Sequence, residues 1–316
     1  MTKGPKWISD RLVSGGEIII DGANGSELER RGVPMDDRAW CGPSVTTHSH
    51  VLKEIHKDYI AAGAEVIITN TFASSRQMLE PAGYGDQVAH MNQRAVQIAK
   101  QAIEETEAEQ QVAVAGSLSD ASVQVAVAGS ISDARADKRG LDAKWLNPTV
   151  LHATYREQSE LLVEAGADLL MLEMMQEPEV AIPAIEEALK TGVEVWVGLS
   201  CRSNEKSGQL AMFDDASRLF SETLDAVTAF DVQSIHIMHS QIGDTTLGIE
   251  ALQKKWNGPI GAYPNSGYFE RPSWQFVDIA TPEYFADHIA DWRSMGVQIL
   301  GGCCGLGVEH IRAISS

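Results

Sequence analysis

Eight times along this chain a short β-branched run gives way to a longer amphipathic stretch, and that alternation narrows the folds open to it. The runs fall at 17–21 (EIIID), 65–69 (EVIIT), 112–115, 168–172, 193–197, 232–238, 259–262 and 297–300. Helical spacing fills the intervals, at 50–62, 87–108, 148–165, 179–191, 216–229, 246–256, 282–292 and 307–315. Period alone does not separate a strand from a buried helix in any one short run. The repeated order is more informative. Strands alternating with helices, with no long polar linker, describe a parallel α/β fold, and eight units are the number that closes a (β/α)8 TIM barrel. A doubly wound open sheet is the alternative, but it would more often carry a GxGxxG turn after the first strand. Here that turn reads DGANGS (21–26). Three helix-to-strand junctions, AAGAE (61–65), EAGAD (164–168) and KTGVE (190–194), place glycine where a left-handed cap is needed. The expectation is one barrel domain spanning 1–316, a size that single barrels commonly reach.

One segment breaks the pattern. QVAVAGSLSDA (111–121) recurs as QVAVAGSISDA (124–134), differing only at Leu118 and Ile131. A barrel takes one third strand, not two. The extra copy reads either as a tandem duplication stored in a loop, where insertions are tolerated, or as a hairpin over the barrel mouth.

Charge limits the partners. With 25 Lys+Arg against 44 Asp+Glu the net charge is −19, which argues against nucleic acid or an anionic membrane surface. No apolar run approaches a membrane span, and the opening MTKGPKWISDRLVSGG lacks the apolar core of a signal peptide. A cytoplasmic, reducing location is expected. There, four cysteines point to metal, catalysis or packing rather than to disulfides.

Chemistry in such a barrel gathers at the C-terminal ends of the strands. Those ends hold Asp21, Asn70, Glu173, Cys201, His239, Asn265 and the vicinal pair Cys303 and Cys304. Adjacent cysteines rarely bond to each other. Two thiolates between glycines, in GGCCG (301–305), suit one borderline metal such as Zn2+, although packing as small hydrophobes is the plainer alternative. A catalytic zinc needs a third protein ligand. His239 is the first choice and Cys201 the reserve, while Cys41 reads as incidental. His236, three positions before His239, is expected on the opposite side of the strand and outside the barrel. Asp21 and Glu173 suit a substrate ammonium, unless a Lys or Arg shields them. Asn70 and Asn265 offer amides for a carboxylate or hydroxyl, or they cap loops.

Taken together, DGANGSEL (21–28), ITNTF (68–72), VAGS (114–117 and 127–130), Glu173, YPNSG (263–267) with Trp274 following, and GGCCG with His310 and Ile311 resemble the homocysteine S-methyltransferase family. The resemblance runs in order from residue 17 to 315. It implies a (β/α)8 barrel, a zinc ion held by three cysteines, and methyl transfer to homocysteine to give methionine. Its partners would be homocysteine and a small methyl donor, a homo-oligomer is compatible with it, and no catalytic residue is required beyond the metal ligands. One position departs. The family's first zinc cysteine ends the sixth strand, and His239 stands there in this chain. Zinc accepts two cysteines and a histidine, so the resemblance implies His239, Cys303 and Cys304 as ligands, with a site charge of zero rather than −1. The betaine-using members resemble this chain at Trp40, but their tyrosine after the TNTF-like motif is absent, because Ala73 and Ser74 follow Phe72. A sulfonium donor, S-methylmethionine or S-adenosylmethionine, is therefore preferred over betaine. The alternatives are a related thiol or amino-acid alkyltransferase of changed specificity, or a metal-free protein that only binds an amino acid.

Overall fold

The computed structural model describes residues 4–108, 110–120, 146–204 and 207–315. Eight strands and eight helices alternate: β1 (Ile18–Ile19), α1 (Ser49–Ala61), β2 (Val66–Ile68), α2 (Val88–Glu105), β3 (Ala113–Ser119), α3 (Pro148–Glu164), β4 (Leu169–Met175), α4 (Pro178–Lys190), β5 (Glu194–Leu199), α5 (Phe220–Val227), β6 (Ser234–Gln241), α6 (Ile242–Leu252), β7 (Ile260–Asn265), α7 (Pro282–Ser294), β8 (Ile299–Leu300) and α8 (Val308–Ile314). All neighbours pair in parallel in chain order, with β8 against β1. A parallel bridge from Ile20 to Val66, and a hydrogen bond from Asp21 N to Val66 O (3.0 Å), join β1 to β2 and close the ring. This is the (β/α)8 TIM barrel that the alternation predicts.

The two faces of each strand explain the β-branched runs. Ile18, Ile20, Val66, Ile68, Leu169, Met171, Trp196, Met238, Tyr263 and Ile299 form one interior cluster. Ile19, Val114, Leu170, Val195, Ile235 and Leu300 belong to the larger cluster that includes the helices. Both faces are apolar because helices cover the outside and side chains fill the inside. An additional helix, Lys6–Val13, sends Ile8 and Leu12 into the interior cluster, and Ser9 Oγ hydrogen-bonds Glu194 Oε1 (2.6 Å) at the start of β5. It plugs the end of the barrel opposite the strand C-termini. The three junction glycines take the left-handed conformation, with φ 105° at Gly63, 95° at Gly166 and 77° at Gly192.

Three features go beyond the sequence reading or correct it. First, β3 is built from the first of the repeated segments, while the second copy, 124–134, lies outside the described residues. Second, two antiparallel hairpins occupy strand-to-helix loops: Cys201–Ser203 with Leu210–Met212 after β5, and Tyr268–Glu270 with Ser273–Gln275 after β7. Third, His236 is inside the barrel, not outside. Its ring lies 5.4 Å from that of Trp196 and 5.6 Å from that of Tyr263, and burial lowers its pKa to about 3, so it is neutral. The expectation assumed regular alternation up to His239. In fact His239 has φ 43°, and the β6–β7 register shifts between Met238 and Gln241. This irregularity turns His239 to the mouth while His236 keeps its inward parity. Among the described residues no helix is long and apolar enough to cross a membrane.

Candidate metal centre and substrate cavity

The GGCCG turn follows β8 and is clamped by the loop after β7. Cys303 N donates to Pro264 O (2.8 Å), and Ser266 N donates to Cys304 O (2.9 Å). The YPNSG and GGCCG motifs are thus two halves of one backbone contact. Gly305 shows why a side chain is excluded: its φ is 82°, and a Cβ there would fall 1.9 Å from Ser266 O. His310, the later part of the motif, has a structural task. Its Nδ1 accepts from Gly307 N (3.1 Å), which caps α8 and leaves Nε2 to donate to Ala280 O (2.7 Å).

Three donor atoms converge at this turn. Cys303 Sγ lies 3.4 Å from His239 Nδ1 and 4.0 Å from Cys304 Sγ, and all three atoms lie within 4.8 Å of one another. Ordinary zinc bonds in a tetrahedron need about 3.8 Å between sulfurs and about 3.6 Å from sulfur to nitrogen. The residues present fit the ion that their types suggest. Without a cation, Cys304 and burial hold the Cys303 thiol well above its usual value. A cation beside the two sulfurs would favour the Cys303 thiolate. Phe213 and Trp274 stand edge-on to the His239 ring, at 5.3 and 5.8 Å, and restrict its rotation. Cys201 is not part of the group. Its sulfur faces Ser240 Oγ and Asp244 O in the outer layer, and burial pushes its thiol up to about 12.

The cavity beside these ligands is lined by Glu173, Asp214 and the rings of Trp40, Phe72, Phe213, Tyr263, Phe269 and Trp274, and by no Lys or Arg among the described residues. Glu173 is 7% exposed, and burial raises its carboxyl to about 7 against the pull of Ser117 and His239. Ser117 Oγ donates to Glu173 Oε2. Asp21 is fully buried. Its Oδ2 accepts from Ile68 N (3.0 Å), its Oδ1 has no partner, and burial and Glu173 together keep its carboxyl high. No ion pair among the described residues involves either acid, so the Lys or Arg shield considered from the sequence is not seen.

The two asparagines divide. Asn70 lines the cavity, but its amide is engaged, donating to Cys41 O (3.1 Å) and Ser44 Oγ (3.0 Å) while accepting from Cys41 Sγ (3.2 Å). Asn265 is buried, is not among the residues that line the cavity, and has an unpartnered Oδ1. Cys41, read as incidental, lines the cavity as well. Sequence reasoning missed Asn24, which donates to Ile68 O (2.7 Å) and leaves Oδ1 buried and unpartnered, and it missed Phe213, Asp214 and Phe269. The signal available was the length of chain between β5 and α5 and between β7 and α7. Strand-to-helix loops that long at the functional end of a barrel commonly carry site residues.

Comparison with known proteins agrees with this geometry. The homocysteine S-methyltransferase family profile matches residues 18–316. Homocysteine S-methyltransferase 4 of Zea mays is 28% identical over 319 residues, covering 96% of this chain and 89% of that protein. Selenocysteine Se-methyltransferase of Brassica oleracea var. italica is 27% identical, with 95% and 88% covered. The metallated form of the homocysteine methyltransferase MmuM from Escherichia coli superposes with a TM-score of 0.73 over 98% of both chains at 22% identity, which shows a shared fold. Profile, barrel and the cysteine pair at the strand ends agree: the chain belongs to the homocysteine S-methyltransferase family of methyltransferase enzymes.

Proposed function

We propose that this enzyme moves a methyl group from a sulfonium donor to the thiol of homocysteine, giving methionine, with Zn2+ held by His239, Cys303 and Cys304. One observation carries the reading: three donor atoms at zinc spacing border a cavity that holds the carboxyl groups of Glu173 and Asp214 and, among the described residues, no Lys or Arg. Zinc bound there would act as a Lewis acid that lowers the pKa of a thiol, so that thiolate is present near neutral pH.

The chain's own residues do the rest. Glu173 receives the ammonium of homocysteine. Ser117 fixes the Glu173 carboxylate, and Phe213 and Trp274 fix the imidazole. The aromatic walls attract a positively charged donor and exclude water. Transfer forms one S–CH3 bond and breaks another, whose electron pair returns to the donor sulfur as a neutral thioether. Opposite charges disappear in this step, so a dry cavity favours it. No side-chain base is required, and positioning supplies much of the rate.

A second reading keeps the barrel and the metal but changes the acceptor. His239 favours it, since two thiolates and a neutral imidazole sum to zero charge with Zn2+ and give a less electron-rich nucleophile than three thiolates would. The relative named selenocysteine Se-methyltransferase indicates the direction, a selenol in place of the thiol. The test is a panel of S-methylmethionine, S-adenosylmethionine and betaine, each with homocysteine or selenocysteine, read by chromatography of the methylated product. Methionine from homocysteine and a sulfonium donor is expected. Product from selenocysteine alone would favour the second reading, and no product in any pairing would exclude both.

A further inference from the structure

The aromatic wall of the cavity is assembled from separate loops. Trp40 comes from the segment after β1, and Phe269 and Trp274 come from the hairpin after β7. The Trp40 ring meets Phe269 edge to face at 6.1 Å and Phe72 at 6.4 Å. Trp40 is also a non-glycine residue with φ 43°, a conformation that persists only where the surroundings enforce it. Part of that enforcement is space, because a Cβ on Gly25 would come 2.3 Å from the indole.

The rest is Glu29. It lies on the helix Asn24–Arg30 and does not line the cavity. Its Oε1 accepts the indole N–H of Trp40 at 2.7 Å, and its Oε2 accepts the backbone N–H of Trp274, also at 2.7 Å. One carboxylate therefore ties the Trp40 loop to the β7 hairpin. Its basic neighbours Arg30 and Arg31 are engaged elsewhere, both with Glu27. A carboxylate between two N–H donors makes charge-assisted bonds, stronger and shorter than neutral ones.

We propose that Glu29 is a positioning residue for the methyl donor: by holding the Trp40 indole and the Trp274 backbone at once, it fixes the ring wall that receives the donor's positive centre. This rests on the reading that the donor is an onium compound. A ring displaced from a cation loses on the order of a tenfold in affinity, while homocysteine, held at Glu173 and the metal, is not affected, because the Trp274 indole beside His239 keeps its own bond to Ser266 O (3.0 Å).

The test uses Glu29→Ala and Glu29→Gln, the latter still able to accept one N–H. With S-methylmethionine as donor, Glu29→Ala is expected to raise the donor KM about tenfold, with homocysteine KM and zinc content unchanged and Glu29→Gln in between. Amide exchange across 268–275 should quicken in Glu29→Ala. Affinity for the trimethylsulfonium ion, read by tryptophan fluorescence, should fall by a similar factor. A donor KM that stays constant, or both KM values rising together, would overturn the proposal. So would equal trimethylsulfonium affinity in wild type and Glu29→Ala, or no binding by the wild type. Trimethylsulfonium binding that weakens in Glu29→Ala, alongside no turnover with any donor, would leave the latch standing and refute the proposed methyl transfer instead.

Discussion

Replacing Glu173 by glutamine should change how stability depends on pH. The carboxyl has an ordinary value of 4.5 and stands at about 7 in the folded chain, raised by burial. Because the folded value is the higher one, the group's contribution is fully present below about pH 4.5 and is lost as pH rises through about 7. At about 1.4 kcal/mol per pH unit, holding the buried charge costs the folded state about 3 kcal/mol on the alkaline side. Glutamine keeps the shape and can still bond Ser117, but it never ionises. Urea unfolding of chelator-treated wild type and Glu173→Gln, followed from pH 5 to pH 8, measures the difference. Metal is removed first, because a cation beside His239 would itself stabilise the carboxylate. The variant should gain about 2 to 3 kcal/mol on wild type across that range. Asp21 adds to the effect with the same sign, since the Glu173 charge is one cause of its raised value. Parallel curves for the two proteins would refute the claim that Glu173 is a buried, unpaired acid.

Three further outcomes are expected. Cys304→Ser should retain less than about one-tenth of an equivalent of zinc after dialysis, measured by metal analysis, because one of three protein donors is gone; His239→Ala should do the same, and full retention would count against its ligand role. His239→Cys should keep one equivalent of zinc but raise the homocysteine KM and kcat together, since a site charge of −1 repels the thiolate and enriches it. Gly305→Ala should destabilise by at least about 2 kcal/mol in urea unfolding, because Ala meets a positive φ and the Ser266 carbonyl at once.

Much of this was legible in the sequence wherever a residue's neighbours are dictated by regular geometry. The order of strands and helices follows from the alternating runs, and Gly63, Gly166 and Gly192 mark junctions that only a left-handed residue serves cheaply. Cys303 and Cys304 stood out because glycines surround them, and the structure supplies the reason in the close approach of the YPNSG loop. Regularity was also where the reading failed. One left-handed residue at His239 breaks the parity on which the placement of His236 depended. Phe213 follows, and Phe269 sits on, a hairpin too short to show an alternating pattern, so the aromatic wall was invisible, and the missing tyrosine after Phe72 looked like an absence of rings. Glu29 reads as an ordinary charge on a helix. Its partners, Trp40 and Trp274, are 11 and 245 residues away, and only the closed ring brings them together.

X-ray absorption at the zinc edge, on protein loaded with one equivalent of Zn2+ and compared before and after homocysteine, tests the metal site most directly. Two sulfurs and one imidazole nitrogen are expected from the protein, with a third sulfur when homocysteine is added. A shell of nitrogen and oxygen alone, or a sulfur count that homocysteine leaves unchanged, would contradict a thiol-activating site at His239, Cys303 and Cys304.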